Sequence, residues 1–313
     1  MTNNFPIDVV GLRKEYKNFV AVDNLDLKVE RNSFTGLLGP NGAGKSTTLK
    51  ILTNLINATS GNAYLNGIDV TKDSKAALIG VGTVVETPEF YSYLTPKETF
   101  SYIGEIFGMT NEAISSETDE ILEKVKMVDW GDKKLGTFSK GMRQRIALGL
   151  SLMNNPSIII LDEPTSGLDP RGMAETREIL KDIRKNSKDL TILMSSHILH
   201  EVNDLCDHVA LINHGKMLIQ DKTESITHLN KTRKLSLNLV GGPTDSAIEK
   251  ISGLPNVTKV SIEAKTVAVL FEGDDGDQAD FFNNVSKLGV GAYNLNEEDA
   301  LEAVYLNMIK ETR

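Results

Sequence analysis

The stretch Gly39-Pro40-Asn41-Gly42-Ala43-Gly44-Lys45-Ser46-Thr47 constrains this chain more than any other. It has the spacing Gly-x-x-x-x-Gly-Lys-Ser, with an apolar run before it (Phe34, Leu37, Leu38) and a helical pattern after it (Thr48, Leu49, Lys50, Ile51, Leu52). Glycines without a Cβ let several backbone N–H groups converge on a phosphate chain. The helix that follows turns its positive end toward the same anion. In this spacing Lys45 reaches the β- and γ-phosphates, and the Ser46 hydroxyl takes one site on Mg²⁺. An ordinary glycine-rich turn requires neither the lysine nor the flanking strand and helix. The stretch therefore predicts a nucleoside triphosphate site.

The rest of the composition narrows the partners. The 313 residues are enough for one large domain or two, each with its own core. With 34 basic and 43 acidic residues the formal charge is −9, which argues against nucleic acid as an electrostatic partner. Cys206 is the only cysteine, so there is no disulfide framework, and a small buried hydrophobe is its plain reading. The N-terminus shows no basic segment followed by an apolar one, so no signal peptide is expected. Apolar runs such as Ile158–Leu161 are too short to span a bilayer. Membrane contact is thus expected only through a partner.

In chain order, Ile7 to Lys17 and Val20 to Glu30 read as strands, the second alternating at Val22, Leu25, Leu27 and Val29. Tyr16 lies between them, where its ring either stacks on a nucleotide base or packs on the sheet. Gly61–Asp69 reads as a hairpin around Asn66-Gly67, and Ile79–Val85 as a buried strand ending at Glu86-Thr87-Pro88. A carboxylate at such a strand end is placed to meet Mg²⁺ or its water, though a lone Glu in a loop needs no such role. Between Phe90 and Phe107 stand Phe90, Tyr91, Tyr93, Phe100, Tyr102 and Phe107, six of the chain's 18 aromatic residues. They suit the core of a small helical subdomain, a groove for a partner's helix, or both. Residues 111–129 follow as an amphipathic helix.

Further chemistry lies downstream. Phe138-Ser139-Lys140-Gly141-Met142 leads into an apolar helix. Ser139 suits its N-cap and Gly141 leaves N–H groups open to an anion, although a capped helix alone explains the stretch. Ile158-Ile159-Ile160-Leu161-Asp162-Glu163-Pro164 is a strand buried on both faces with two acids at its C-terminal end, the ligand edge of a doubly wound sheet. There Asp162 can hold Mg²⁺ through water, and Glu163 can orient or deprotonate an attacking water. After the turn Ser166-Gly167-Leu168-Asp169-Pro170, a helix from about Met173 to Asn186 precedes the strand Leu190–Met194. That strand ends in Ser195-Ser196-His197, with His197 in reach of a γ-phosphate. His197 and His200 have metal-ligand spacing but no accompanying carboxylate or cysteine set, so they are not read as metal ligands.

Taken together these residues resemble the ATP-binding subunit of an ABC transporter over roughly residues 5 to 229. Gly39–Ser46 looks like the Walker A loop, Ile158–Asp162 like Walker B with Glu163 as catalytic glutamate, Ser166–Asp169 like the D-loop, and His197 like the switch histidine. Tyr16 falls at the adenine-stacking aromatic. Phe138–Met142 aligns with the signature Leu-Ser-Gly-Gly-Gln, keeping Ser139 and Gly141 but carrying Lys140 and Met142. The resemblance implies an α/β, P-loop NTPase cassette with a RecA-like core, an antiparallel β-subdomain and an α-helical subdomain at about 87–155. It further implies ATP and Mg²⁺ as cofactors, the metal on Ser46, Glu86 and Asp162, and catalysis by Lys45, Glu163 and His197. Two cassettes would meet head to tail, a homodimer being expected, so that Ser139, Lys140, Gly141 and Met142 of one chain face the γ-phosphate on the other. The dimer would drive an integral membrane permease from the cytoplasmic face. Two residues depart from the pattern. Glu86 replaces the usual Gln, as in some bacteriocin-immunity and drug-exporting cassettes, and Ser139–Met142 resembles the Ser-Lys-Gly-Met of single-cassette exporters; both lean toward export.

From about Asn230 the texture changes to strand-helix-strand-strand-helix-strand, the pattern of a small α+β split βαβ domain over 230–313, closing with a helix striped by Leu301, Val304, Tyr305 and Met308. The resemblance gives this domain a dimerisation or regulatory role. Asp274-Asp275-Gly276-Asp277 within it lacks the calcium-loop pattern and reads as a solvated turn. Two other classes remain in view, a soluble ABC-type ATPase of repair or translation and a nucleotide sensor without turnover. The first would bring a long coiled coil or a second cassette, and the second would not need Glu163 and His197.

Overall fold

A computed structural model describes residues 4–187, 189–229, 232–263 and 265–297. The chain divides after Lys222 into two compact units. The helix Thr223–Leu229 therefore goes with the second unit, whereas the sequence put the boundary at its far end.

The first unit begins with two long strands, β1 (Ile7–Tyr16) and β2 (Phe19–Val29), paired antiparallel. With β4 (Ser60–Leu65) and β5 (Ile68–Asp69), which form the hairpin expected at Asn66-Gly67, they make a four-stranded sheet ordered β2-β1-β4-β5. Alternation buries Ile7, Val9, Leu12, Val22, Leu25, Leu27 and Val29 on one face. Against that face lies α1 (Lys45–Leu52), whose Leu49, Ile51 and Leu52 join the same core. Asp69 is buried beside this hairpin, where it accepts from Thr71 N–H and Oγ1 and from Asn62 and pairs with Lys72.

The second sheet has six strands, ordered β10-β9-β3-β8-β7-β6. These are β3 (Phe34–Leu38), β6 (Val81–Val84), β7 (Ile158–Asp162), β8 (Thr191–Ser196), β9 (His208–Asn213) and β10 (Lys216–Lys222). The first five are parallel, and β10 closes one edge antiparallel. β7 opens with four apolar residues, and β3 and β8 are buried along their whole length, because both faces of the sheet are covered. Parallel strands need crossovers, so the C-terminal ends of β3, β7 and β8 all emerge on one side of the sheet.

Helices α2 (Ser74–Leu78), α3 (Pro96–Ile106), α4 (Asn111–Lys124), α5 (Lys140–Ser151), α6 (Pro170–Asn186) and α7 (Leu199–Leu205) complete this unit. Each of α3 to α6 starts at a side-chain cap, Thr95, Thr110, Ser139 and Asp169 in turn. The amphipathic helix expected over 111–129 stops at Lys124, where Lys126 takes a positive φ of 57° and turns the chain into a 3₁₀ turn at Val128–Trp130. The aromatic segment is divided between core and surface. Phe100 is fully buried among the helices, while Tyr91, Tyr93, Tyr102 and Phe107 are exposed. Cys206 is buried, and burial first, then the charge of Asp207, pushes its thiol well above the usual range.

The second unit contains α8 (Thr223–Leu229) and a four-stranded antiparallel sheet ordered β12-β13-β11-β14. Its elements follow as β11 (Thr232–Leu239), α9 (Asp245–Ser252), β12 (Val257–Glu263), β13 (Thr266–Glu272), α10 (Asp275–Lys287) and β14 (Ala292–Glu297). Leu235, Leu237, Val267, Val269 and Phe271 of the sheet bury against Ile251, Phe281 and Val285 of the helices. This is the split βαβ arrangement expected. One expectation is corrected here, for Asp274-Asp275-Gly276-Asp277 is a helix start and not a free turn. Asp274 accepts from the N–H groups of Gly276 and Asp277, and the Asp277 side chain returns to the Asp274 N–H in a capping box. The final helix expected over Leu301, Val304, Tyr305 and Met308 lies outside the described residues.

One close approach fixes how α5 meets the sheet. A Cβ on Gly82 of β6 would stand 1.7 Å from the Ser151 carbonyl oxygen at the end of α5. Gly82→Ala is therefore expected to cost about 1–3 kcal/mol through forced backbone movement. A urea titration measures this, and an unchanged midpoint would show that the approach is not made in solution.

Candidate functional site

Three strand ends and one loop build the site. The loop after β3 runs from Gly39 to Gly44, where a φ of 102° and the Ala21 carbonyl, 2.5 Å from where a Cβ would stand, admit only glycine. Gly44 caps α1 without a side-chain hydrogen bond, so the first-turn N–H groups keep their donors for another acceptor. Pro40, Asn41, Gly42 and Ala43 form the wrap, closed by Ala43 N–H donating to Pro40 O, while Ser46 and Thr47 lie half-buried in the first turn of α1. Lys45 is 4% exposed, its ammonium donating to Gly39 O at 2.8 Å and Pro40 O at 3.2 Å.

The end of β7 supplies the acids. Asp162 Oδ1 accepts from Ser46 Oγ at 3.0 Å and from Ser195 Oγ at 2.6 Å. Glu163, the next residue, has a φ of 43°. Its N–H donates to Ser195 Oγ at 2.9 Å, and its carboxylate lies between Lys45 Nζ at 3.4 Å and His197 Nδ1 at 3.1 Å. Burial pushes the Glu163 carboxyl up, but the Lys45 cation and then His197 outweigh it and hold the group below its ordinary value. Glu163 is thus ionised at neutral pH and able to accept a proton. Its folded-state value being depressed, the stability it contributes is present above the unfolded value and is lost as pH falls through the folded one.

Most of the residues expected from the sequence come together here. Lys45, Ser46, Asp162, Glu163 and His197 form one contiguous cluster. Glu86 stands at its margin, exposed and at a φ of 72°, with its carboxylate on Lys50 of α1. Lys50 is raised by that hydrogen bond, against its partial burial, and by the charges of Glu86 and Asp162. Tyr16 is 45% exposed at the end of β1, with Lys14 Nζ 4.9 Å from its ring centroid, so its ring is not packed away on the sheet.

The other group sits apart. Ser139 caps α5 by accepting from Met142 N–H, Lys140 lies against Gly167, and Gly141 approaches Gly172 at the start of α6. Asp169 caps that helix by accepting from Gly172 N–H. Among the described residues no hydrogen bond or ion pair joins Ser139–Met142 to Lys45, Ser46 or Glu163. Ser139–Met142 thus cluster with the α6 N-terminus and reach the acids only through the turn after Glu163, where Lys140 meets Gly167.

The oxygens of Ser46 and Asp162 are hard donors suited to Mg²⁺, which takes few protein ligands and completes its shell with water and phosphate. No group of three or more His, Cys, Asp or Glu placed to hold a metal occurs among the described residues. No helix among them is long and apolar enough to cross a membrane. Ser195 is the residue that sequence reasoning passed over. As one more polar residue at a strand end it gave no signal of its own, yet it joins Asp162 to the Glu163 backbone.

The profile of the ABC transporter family matches residues 22–166. The chain is 40% identical over 212 residues to the bacitracin transport ATP-binding protein BcrA of Bacillus licheniformis, covering 68% of each chain. It is 34% identical over 225 residues to the lantibiotic transport ATP-binding protein SrtF of Streptococcus pyogenes, covering 72% of this chain and 94% of that protein. Among solved structures, a dimeric bacterial ABC transporter cassette superposes with a TM-score of 0.62 at 25% identity, over 69% of this chain and 98% of that one.

Ser195→Ala would leave the Glu163 N–H without its acceptor and Asp162 short of one donor. The expected cost is about 1–3 kcal/mol of unfolding free energy. Chemical denaturation measures it, and a neutral substitution would contradict the hydrogen bonds described.

Proposed function

The chain belongs to the family of ABC transporter ATP-binding proteins, and from that premise we propose how its residues divide the work of an export ATPase. As a member of the family it binds ATP and hydrolyses it. The observation that carries the proposal is the ionised Glu163 carboxylate held between Lys45 and His197 at the end of a buried strand.

Lys45 and the N–H groups of the Gly39–Thr47 loop hold the β- and γ-phosphates, and Tyr16 stacks on the adenine. Ser46, Asp162 and Glu86 would hold Mg²⁺, which would supply positive charge to offset that of the phosphates. Glu163 orients the attacking water and takes its proton, and His197 fixes Glu163 and reaches the γ-phosphate. The face that bears Ser139, Lys140, Gly141, Met142 and Asp169 serves a second, identical cassette, whose site it completes in trans. The absence of any direct hydrogen bond or ion pair, among the described residues, from Ser139–Met142 to Lys45, Ser46 or Glu163 supports this reading, as does the dimer seen for the related cassette.

The ATP-driven closing of two cassettes moves an integral membrane permease, which this chain meets from the cytoplasmic side as a peripheral subunit. The exposed Tyr91, Tyr93, Tyr102, Ile106 and Phe107 around α3 offer the permease an apolar surface. The transport roles in the names of the two relatives support a transporter over a sensor without turnover. Glu86 and the Ser-Lys-Gly-Met sequence favour export. The second unit contributes to pairing or regulation.

Two substitutions test the assignment. Lys45→Ala is expected to weaken ATP binding by more than about 100-fold, or roughly 3 kcal/mol. Glu163→Gln is expected to keep ATP affinity within about threefold while turnover falls by about 10²–10⁴-fold. Fluorescent-nucleotide binding and steady-state phosphate release read the two quantities. Glu163→Gln turning over at the parent rate would overturn the general-base role.

A further inference from the structure

Glu201 is a buried carboxylate that the reaction so far leaves unused. It lies on α7, four residues after His197, and is 1% exposed. Its Oε2 accepts from Thr165 Oγ1 at 2.8 Å and from Ser196 Oγ at 3.2 Å, and both hydroxyl residues are themselves buried. Its Oε1 is buried without a hydrogen-bond partner. A buried acid with one oxygen unpaired is a costly way to join two segments that apolar side chains could fill. What it joins gives the cost a purpose.

Thr165 stands two residues after Glu163, in the turn whose Ser166 N–H donates back to Glu163 O. Ser196 immediately precedes His197. Its Oγ also accepts from Ile198 N–H at 2.9 Å, and its carbonyl accepts from Gly39 N–H of the phosphate loop. One carboxylate oxygen therefore ties the turn that carries Glu163 to the turn that carries His197, in addition to their own contact. The carboxylate and the imidazole stand 3.1 Å apart on two different strand ends. The β7–β8 register and the Ser195 contact to the Glu163 N–H align the two strand ends, and the Glu201 hydrogen bonds add a second tie between the turns beyond them.

We propose that Glu201 is a positioning residue that holds the Glu163–His197 pair in its working geometry through Thr165 and Ser196. It touches neither nucleotide nor water, and it rests on the reading of Glu163 as the base. An acceptor oxygen at this point is what the role requires, more than the charge. The hydrogen bonds it receives come from hydroxyls, which either a carboxylate or an amide oxygen satisfies.

The test is the ATPase activity of the full chain with Glu201→Met, Glu201→Gln and Thr165→Val. Glu201→Met fills the space without an acceptor and is expected to lower kcat by at least about tenfold while KM for ATP stays within about twofold. Glu201→Gln restores an acceptor oxygen and is expected to recover at least about half of the parent kcat. Thr165→Val, which removes one of the two donors at constant shape, is expected to fall between them and carries the test alone if Glu201→Met does not fold. A merely structural role is separated by a cycle with His197→Ala. In that background the pair is already broken, so Glu201→Met should cost less than about twofold more. Equal losses in both backgrounds, or parent kcat in Thr165→Val, would overturn the proposal. Parent kcat in Glu163→Gln would instead overturn the base assignment, whatever Glu201→Met does.

Discussion

In the parallel register of β7 against β8, Asp162 stands opposite Ser195, and in that of β3 against β8, Leu38 stands opposite Ser196. These two alignments bring the phosphate loop, the paired acids and the histidine to one sheet edge. A slip of one residue would send Asp162 and Ser195 to the other face and break the Ser195 contacts to both Asp162 and the Glu163 backbone. The buried runs Ile158–Leu161 and Ile192–Met194 resist that slip, because both strands are covered on both sides and place their ligand-side polar groups only at the C-terminal end. Core packing thus fixes where the chemistry lies.

Within that frame the charges depend on one another. Lys45 and Glu163 are each costly to bury alone, and each is placed to offset the other, with His197 on the second carboxylate oxygen. Glu163 also sits in the left-handed region of backbone space, a conformation worth about 1–3 kcal/mol of strain for a residue with a side chain. The Ser195 hydroxyl receives its N–H, and the following turn closes back on its carbonyl, so the surroundings hold the conformation. Glu86 shares the same kind of backbone strain but stands exposed on Lys50, in surroundings that constrain it far less.

Much of this was readable in the sequence, for a definite reason. The phosphate loop and the Asp162-Glu163 strand are local patterns in which neighbouring residues share one task, so spacing alone reveals them. The helix cap at Ser139 is local as well. What stayed hidden depends on contacts between distant segments. Ser195 and Glu201 acquire meaning only when β7, β8 and α7 are packed together. Strands β9 and β10 carry no motif, and α2 is a single capped turn too short for a periodic signal. The Asp274–Asp277 acids suggested a free turn because their density outweighed the capping spacing.

In the proposed mechanism one chain carries two half-sites, which become a catalytic site only when a second copy supplies the missing half. Size-exclusion chromatography with light scattering on Glu163→Gln, with and without Mg-ATP, tests it most directly. A monomer without nucleotide and a dimer with it are expected. A monomer under both conditions, at concentrations where ATP is bound, would contradict it.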